Sequence, residues 1–197
     1  MKNLIVFCLA VMTLLIPVSA QAKVTYDKES NVLWIDGETT RKSRTEIEKV
    51  LTDNNPKFIM MQGPGGDFYS GLAIGYMLEN YHVVITGQCA SACAASALGA
   101  RQISFLNKAQ LMFHGPFVKM VPINFTFEEY SLYIVKAWID FDIYLNNMGV
   151  SSQFTKHMSR NSNYCKLTIV ETQEQLKMIK EDRYPSLPNR DFCAITR

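Results

Sequence analysis

The residues that decide the fold read MQGPGGDFYSGLAIGYML over 61–78 and VVITGQCASACAASALGARQISFLNKAQLMFHGP over 83–116. Phe58 to Met61 is a short continuous apolar run of the kind found in a buried parallel strand, and it feeds a Gly63-Pro64-Gly65-Gly66 turn. Ser70 to Leu78 has helical spacing, His82 to Ile85 is a second apolar strand, and Ala90 to Ala100 is an alanine-rich helix suited to close packing. Gln102 to Phe105 and Gln110 to Phe113 read as two further short strands. That alternation predicts βαβ units, hence an α/β protein with a mainly parallel sheet flanked by helices.

Upstream, Val32 to Gly37 reads as a strand ending in a turn, and Thr39 to Leu51 as an amphipathic helix stopped by Asn54-Asn55-Pro56. Downstream, Phe117 to Phe127 is apolar and β-prone with Pro122 in its middle, which suits an edge hairpin or a projecting loop. Glu128 to Met148 is the longest helical segment. Tyr130, Ile134, Ala137, Phe141, Tyr144 and Met148 recur on one face, widened by Trp138 and Leu145. Ser151 to Met158 and Thr168 to Ile179 are read as two shorter helices, and the tail around Tyr184 to Pro188 as irregular.

The N-terminus reads as a signal peptide over residues 1–22. Lys2 precedes an apolar Leu4 to Val18, and Ala20-Gln21-Ala22 is a cleavage site. About 175 residues then remain, one domain over 23–197 with a real core. No later run is long enough to span a membrane, so no membrane contact is expected after cleavage. The formal net charge is +2, and losing Lys2 lowers it by one. Without a basic block, nucleic acid is not an expected partner.

Four cysteines survive cleavage: Cys89, Cys93, Cys165 and Cys193. An even number in a periplasmic or secreted chain predicts two disulfides, with three connectivities open. Cys89–Cys93 and Cys165–Cys193 are favoured, because the first pair flanks one turn and the second lies near the C-terminal end. No metal-ligand spacing accompanies them, so no metal and no cofactor is expected.

Ser91 sits between alanines at a helix start, which makes it either an N-cap or a nucleophile. A Cys89–Cys93 bridge would brace its turn and hold the hydroxyl in one direction. Ser96 falls within the helix and is expected to pack. Gly65 and Gly66 precede a helix, where backbone amides meet developing negative charge. His114 ends a strand where the chain leaves the sheet, and it is the candidate general base. His82 and His157 lack comparable surroundings.

Together, Gly63-Pro64-Gly65-Gly66, the helix with Gly71, the segment from Gly87 to Ala100, Arg101 and Met112-Phe113-His114-Gly115-Pro116 resemble the proteolytic subunit of the Clp protease. The wider relation is to the crotonase-like superfamily. The resemblance covers roughly residues 32–179 and is carried by the order and spacing of the elements. It implies a crotonase-like ββα superhelix, Ser91 as nucleophile and His114 as base. It also implies an oxyanion hole from the amides of Gly66 and Ala92. Phe117 to Phe127 would match the handle-like hairpin that serves oligomer contacts and substrate alignment. Cys-Ala-Ser-Ala-Cys behind a signal peptide resembles a secreted or periplasmic branch.

One departure is plain. The family's Asp is expected near residues 160–164, where this chain reads Arg160-Asn161-Ser162-Asn163-Tyr164. Asn163 or Asn161 can orient His114 through a side-chain oxygen, without the full charge of a carboxylate. Asp140 and Asp142 are poorer candidates by position. The leading expectation is a secreted, ATP-independent serine peptidase or related acyl hydrolase acting on peptide or protein as a homo-oligomer. The alternative, from the missing carboxylate, is a non-catalytic peptide-binding or assembly module on the same scaffold.

Overall fold

The computed structural model describes residues 22–116, 126–160, 166–181 and 189–191. Its strands are β1 (Lys23–Asp27), β2 (Val32–Thr39), β3 (Phe58–Gly66), β4 (His82–Ala90), β5 (Gln102–Phe105), β6 (Gln110–Phe113), β7 (Lys166–Val170) and β8 (Asn189–Asp191). Its helices are α1 (Arg41–Asp53), α2 (Phe68–Met77), α3 (Ala92–Leu98), α4 (Phe127–Asn147), α5 (Ser152–Arg160) and α6 (Gln173–Lys180).

These strands form one sheet in the order β1-β2-β3-β4-β6-β7-β8, with β5 beside β4. The centre is parallel, from β2 through β3 to β4. Strand β4 changes partners along its length. His82–Ile85 pair with β5, and Gln88–Ala90 pair with β6. Antiparallel pairings close the sheet at β1–β2, β6–β7 and β7–β8. The parallel centre is what the alternation of elements predicted, and the antiparallel pairings at both edges make the sheet a mixed one.

Side-chain alternation sends Leu33, Ile35, Ile59, Met61, Val83, Ile85, Leu111 and Phe113 into the core, against Ile47, Ile74, Leu98 and Leu145 of the helices. Every residue of α3 is buried, which only small side chains permit at this spacing. A Cβ on Gly71 would stand 2.9 Å from Ala92 Cβ, so α2 and α3 touch almost backbone to backbone. Ser96 packs there, its hydroxyl shared between the carbonyls of Gly71 (2.9 Å) and Ala92 (2.7 Å).

Helix α4 starts at a capping box between Thr126 and Glu129 and buries Ala137, Phe141, Tyr144 and Leu145. Tyr144 Oη donates to the buried carbonyl of Ala95 at 2.6 Å. Tyr144→Phe removes that donor and is expected to cost about 1–2 kcal/mol, as the acceptor is left dry. Urea unfolding measures the loss, and an unchanged midpoint would contradict the assignment.

Four expectations change. The glycine-rich segment after Met61 is no turn, since β3 continues extended through Gly66, with Glu38 pairing Gly65 and Thr39 pairing Gly66. Glycine permits this, with Gly65 at φ +89° and Gly66 at φ +144°. Likewise β4 runs past Ile85 to Ala90, so the following helix begins only at Ala92. The segment Thr168 to Ile179 is not one helix. Its β-branched start, Thr168-Ile169-Val170, pairs with β6, and α6 begins after the Thr172 cap. Strand β1 was not anticipated. Residues 1–21 of the signal-peptide reading, Phe117 to Asn124 with Phe125 of the hairpin, and Cys165 and Cys193 lie outside the described residues. Among the described residues no helix is long and apolar enough to cross a membrane.

Candidate functional site

Ser91 occupies the single residue between β4 and α3, at φ 55° and ψ −121°. A non-glycine residue there costs about 1–3 kcal/mol and persists only where its surroundings hold it. Three contacts do so. Its N–H donates to the carbonyl of Met112 at 2.8 Å, and its carbonyl accepts from Ala95 N at 2.9 Å. Cys89 and Cys93 are joined by a disulfide across it, their Cα atoms 5.2 Å apart. The N-cap alternative fails on geometry, because the Ser91 side chain makes no capping hydrogen bond.

The end of β3 lies against this turn. A Cβ on Gly65 would stand 2.6 Å from the Ala90 carbonyl oxygen, 2.7 Å from Ser91 Cβ and 2.8 Å from Ala92 N. Gly65 is therefore in direct contact with the Ser91 turn. A Cβ on Gly66 would point at Thr39 O, 2.3 Å away. The hydrogen bond to Thr39 O is made by Asp67, the residue after Gly66, its N donating at 2.7 Å. Ala92 N opens α3 and is one of the amides a helix start leaves without an intrahelical partner.

His114 leaves the sheet directly after β6. The Ser91–Met112 hydrogen bond places it two residues beyond the nucleophile candidate's neighbour. Its Nδ1 is 2.7 Å from the carbonyl oxygen of Gly115. Burial pushes the imidazole below the ordinary histidine value of 6.5, outweighing the opposing effect of that bond. The folded protein thus favours neutral imidazole. As pH falls below 6.5, the unfolded chain takes up this proton before the folded one does, so stability should decline with acidification. For a general base, the lower limb of a rate–pH profile should lie below pH 6.5, and a limb above it would contradict this reading.

A cavity of about 550 Å³ opens beside His114, bounded by Asp36, Gln62, Gln88, Ala90 and Met112 as well. It lies on the sheet face opposite the helices, since Ile35, Met61, Cys89 and Leu111 point into the core. It meets the Ser91 turn at Ala90. Asp36 pairs in register with Gln62, and Gln88 with Gln110, giving a polar row across adjacent strands. Gln62 Oε1 accepts from Thr86 Oγ1 at 3.1 Å, over the bare face of Gly87. The sequence reading missed this row. Its signal was a polar residue ending the apolar run of β2 and of β3, and a second polar position after the apolar run of β4.

Asn161 and Asn163 lie outside the described residues. Asp140 is engaged elsewhere, by Lys136 at 2.5 Å and by Tyr69 Oη at 3.0 Å. His82 does meet a serine, with Nε2 2.8 Å from Ser104 Oγ, but the pair stands away from the cavity. Among the described residues no three His, Cys, Asp or Glu side chains stand close enough to hold a metal ion.

No protein-family model matches this chain, and no curated protein does. Among solved structures it is similar to an Asn-to-Asp mutant of ClpP1 from Listeria monocytogenes. The identity is 18%, over 77% of this chain and 89% of that one, with a TM-score of 0.60. The fold is ClpP-like. On the ClpP-like fold described above, the strand-to-helix turn carrying Ser91, the end of β3 and the exit of β6 converge at one end of the parallel strands.

Proposed function

We propose that this chain is a secreted or periplasmic, ATP-independent serine peptidase or related acyl hydrolase. The observation that carries the reading is Ser91 in a positive-φ strand-to-helix turn, its hydroxyl unused for capping and its backbone pressed against Gly65. Ser91 Oγ attacks the substrate carbonyl while His114 takes its proton. The amides of Gly66 and Ala92 receive the oxyanion. Collapse expels the leaving group, protonated by His114, and water repeats the sequence on the acyl-enzyme. Asn163 is the sequence's candidate for holding His114, with Asn161 the alternative. The bridged Cys89–Cys93 pair supports an oxidising compartment.

Profiling against a mixed peptide pool tests this. Wild type should cleave a defined subset of bonds and Ser91→Ala none. Binding without cleavage in both proteins would establish the non-catalytic module instead.

Self-association is part of the same reading. The core-facing stripe of α4 is covered within the chain, but a second one is not. Leu132, Val135, Ile139 and Ile143 follow helical spacing and are 71, 56, 55 and 52% exposed. Another copy of this chain is the partner whose matching stripe covers it. Light scattering should return an oligomer at micromolar concentration, and Ile139→Lys with Ile143→Lys should dissociate it. A wild-type monomer would refute this.

A further inference from the structure

We propose that the carbonyl of Gly115, held in place by Trp138 of α4, fixes the tautomer of His114 where a Ser-His-Asp site uses a carboxylate. This rests on the reading of His114 as general base. A carbonyl oxygen only accepts hydrogen bonds, so the 2.7 Å contact requires the proton to be on Nδ1. The basic lone pair is then on Nε2, the arrangement a base needs to take a serine proton. A free histidine side chain favours the other tautomer, with the proton on Nε2, so the protein must enforce this one.

Gly115 is itself held. It is buried, and a Cβ on it would stand 2.1 Å from Cζ2 and 2.5 Å from Cη2 of Trp138. The indole edge therefore lies directly on the Gly115 Cα. Pro116 follows and narrows the backbone of the residue before it. Trp138 is seated in turn. Its ring packs beside Phe141 at 6.4 Å, Phe141 meets Phe68 edge-on at 5.7 Å, and Tyr69 Oη donates to Asp140 at 3.0 Å. Helix α4 is thereby docked on α2, and it delivers the indole to the back of the His114 turn. Trp138 does not line the cavity, so it is a positioning residue acting through Gly115.

A carbonyl provides a dipole rather than a full charge. It sets the tautomer while stabilising the imidazolium less than a carboxylate does.

Two measurements on the full chain test this. Long-range nitrogen-15 NMR near neutral pH reports the tautomer without any need for activity, and wild type should show Nδ1 protonated and Nε2 unprotonated. The second compares labelling by a fluorophosphonate probe in Trp138→Leu and Trp138→Phe. With the indole gone, Trp138→Leu should show mixed tautomers and a labelling rate reduced about a hundredfold. Trp138→Phe keeps an aromatic ring but not the Cζ2–Cη2 edge that meets Gly115, so its rate should fall between wild type and Trp138→Leu. Should Trp138→Leu fail to fold, Trp138→Phe against Trp138→Met supplies the same contrast. A protonated Nε2 in wild type overturns the proposal. So does a leucine variant with unchanged tautomer and rate, or an Asn163→Ala variant that alone flips the tautomer. A wild type that never labels yet shows the Nδ1 proton sinks the hydrolase reading and leaves the tautomer assignment standing.

Discussion

Gly65→Ala is expected to abolish reaction at Ser91 and to cost roughly 2–4 kcal/mol of stability. The new methyl has nowhere to go. It would stand 2.6 Å from the Ala90 oxygen, 2.7 Å from Ser91 Cβ and 2.8 Å from Ala92 N, all on the turn itself. Gly65 also sits at φ +89°, where any side chain is strained. The clash must therefore be relieved by moving either the end of β3 or the Ser91 turn. Either movement displaces the Gly66 amide from the oxyanion it is proposed to receive. Circular dichroism with urea unfolding reads the stability term, and probe labelling reads the site. A stable Gly65→Ala protein that labels at the wild-type rate would show that β3 does not build the site.

The second large effect is expected from the disulfide. Replacing Cys89 and Cys93 by serine, or reducing the bridge, should slow labelling of Ser91 at least tenfold. By chain entropy so short a closed loop contributes only about 2 kcal/mol, the low end for disulfides. In a domain of this length that is a melting shift of roughly 4–8 °C. The local consequence is larger. Ser91 is held at φ 55° by contacts on both sides, and the bridge is the covalent one among them. Without it the backbone can relax to an ordinary helix start, where a serine hydroxyl turns inward to cap. Both sulfurs belong to buried residues, so reduction should require partial unfolding or denaturant. A serine double variant with full labelling, or free thiols at both positions in protein from an oxidising compartment, would refute this.

The parallel centre of the sheet was readable because its strands are short apolar runs separated by helical periods. Ile59 with Met61, and Val83 with Ile85, fill the core as such runs must. The Ser91 turn was readable from local chemistry alone: one serine among alanines, with a cysteine two residues away on each side. What failed depended on pairing partners distant in sequence. Gly63 to Gly66 looks like a turn by composition, yet Glu38 and Thr39 hold it extended. Lys166 to Val170 is a strand because β6 is there to receive it. The polar row of Asp36, Gln62 and Gln88 needed the register of three strands before its members met on one face. The contact between Gly115 and Trp138 joins a loop to a helix more than twenty residues on, and no local pattern announces it.

Covalent labelling followed by peptide mass spectrometry reads whether Ser91 is an activated nucleophile. A fluorophosphonate reacts by attack of the serine oxygen on phosphorus with loss of fluoride, so the adduct marks the residue that attacked. The oxidised, folded protein should carry one adduct, on the peptide containing Ser91, and Ser91→Ala and His114→Ala should carry none. An unlabelled wild type, or an adduct that maps to Ser96, Ser104 or any other serine and persists in Ser91→Ala, would contradict it.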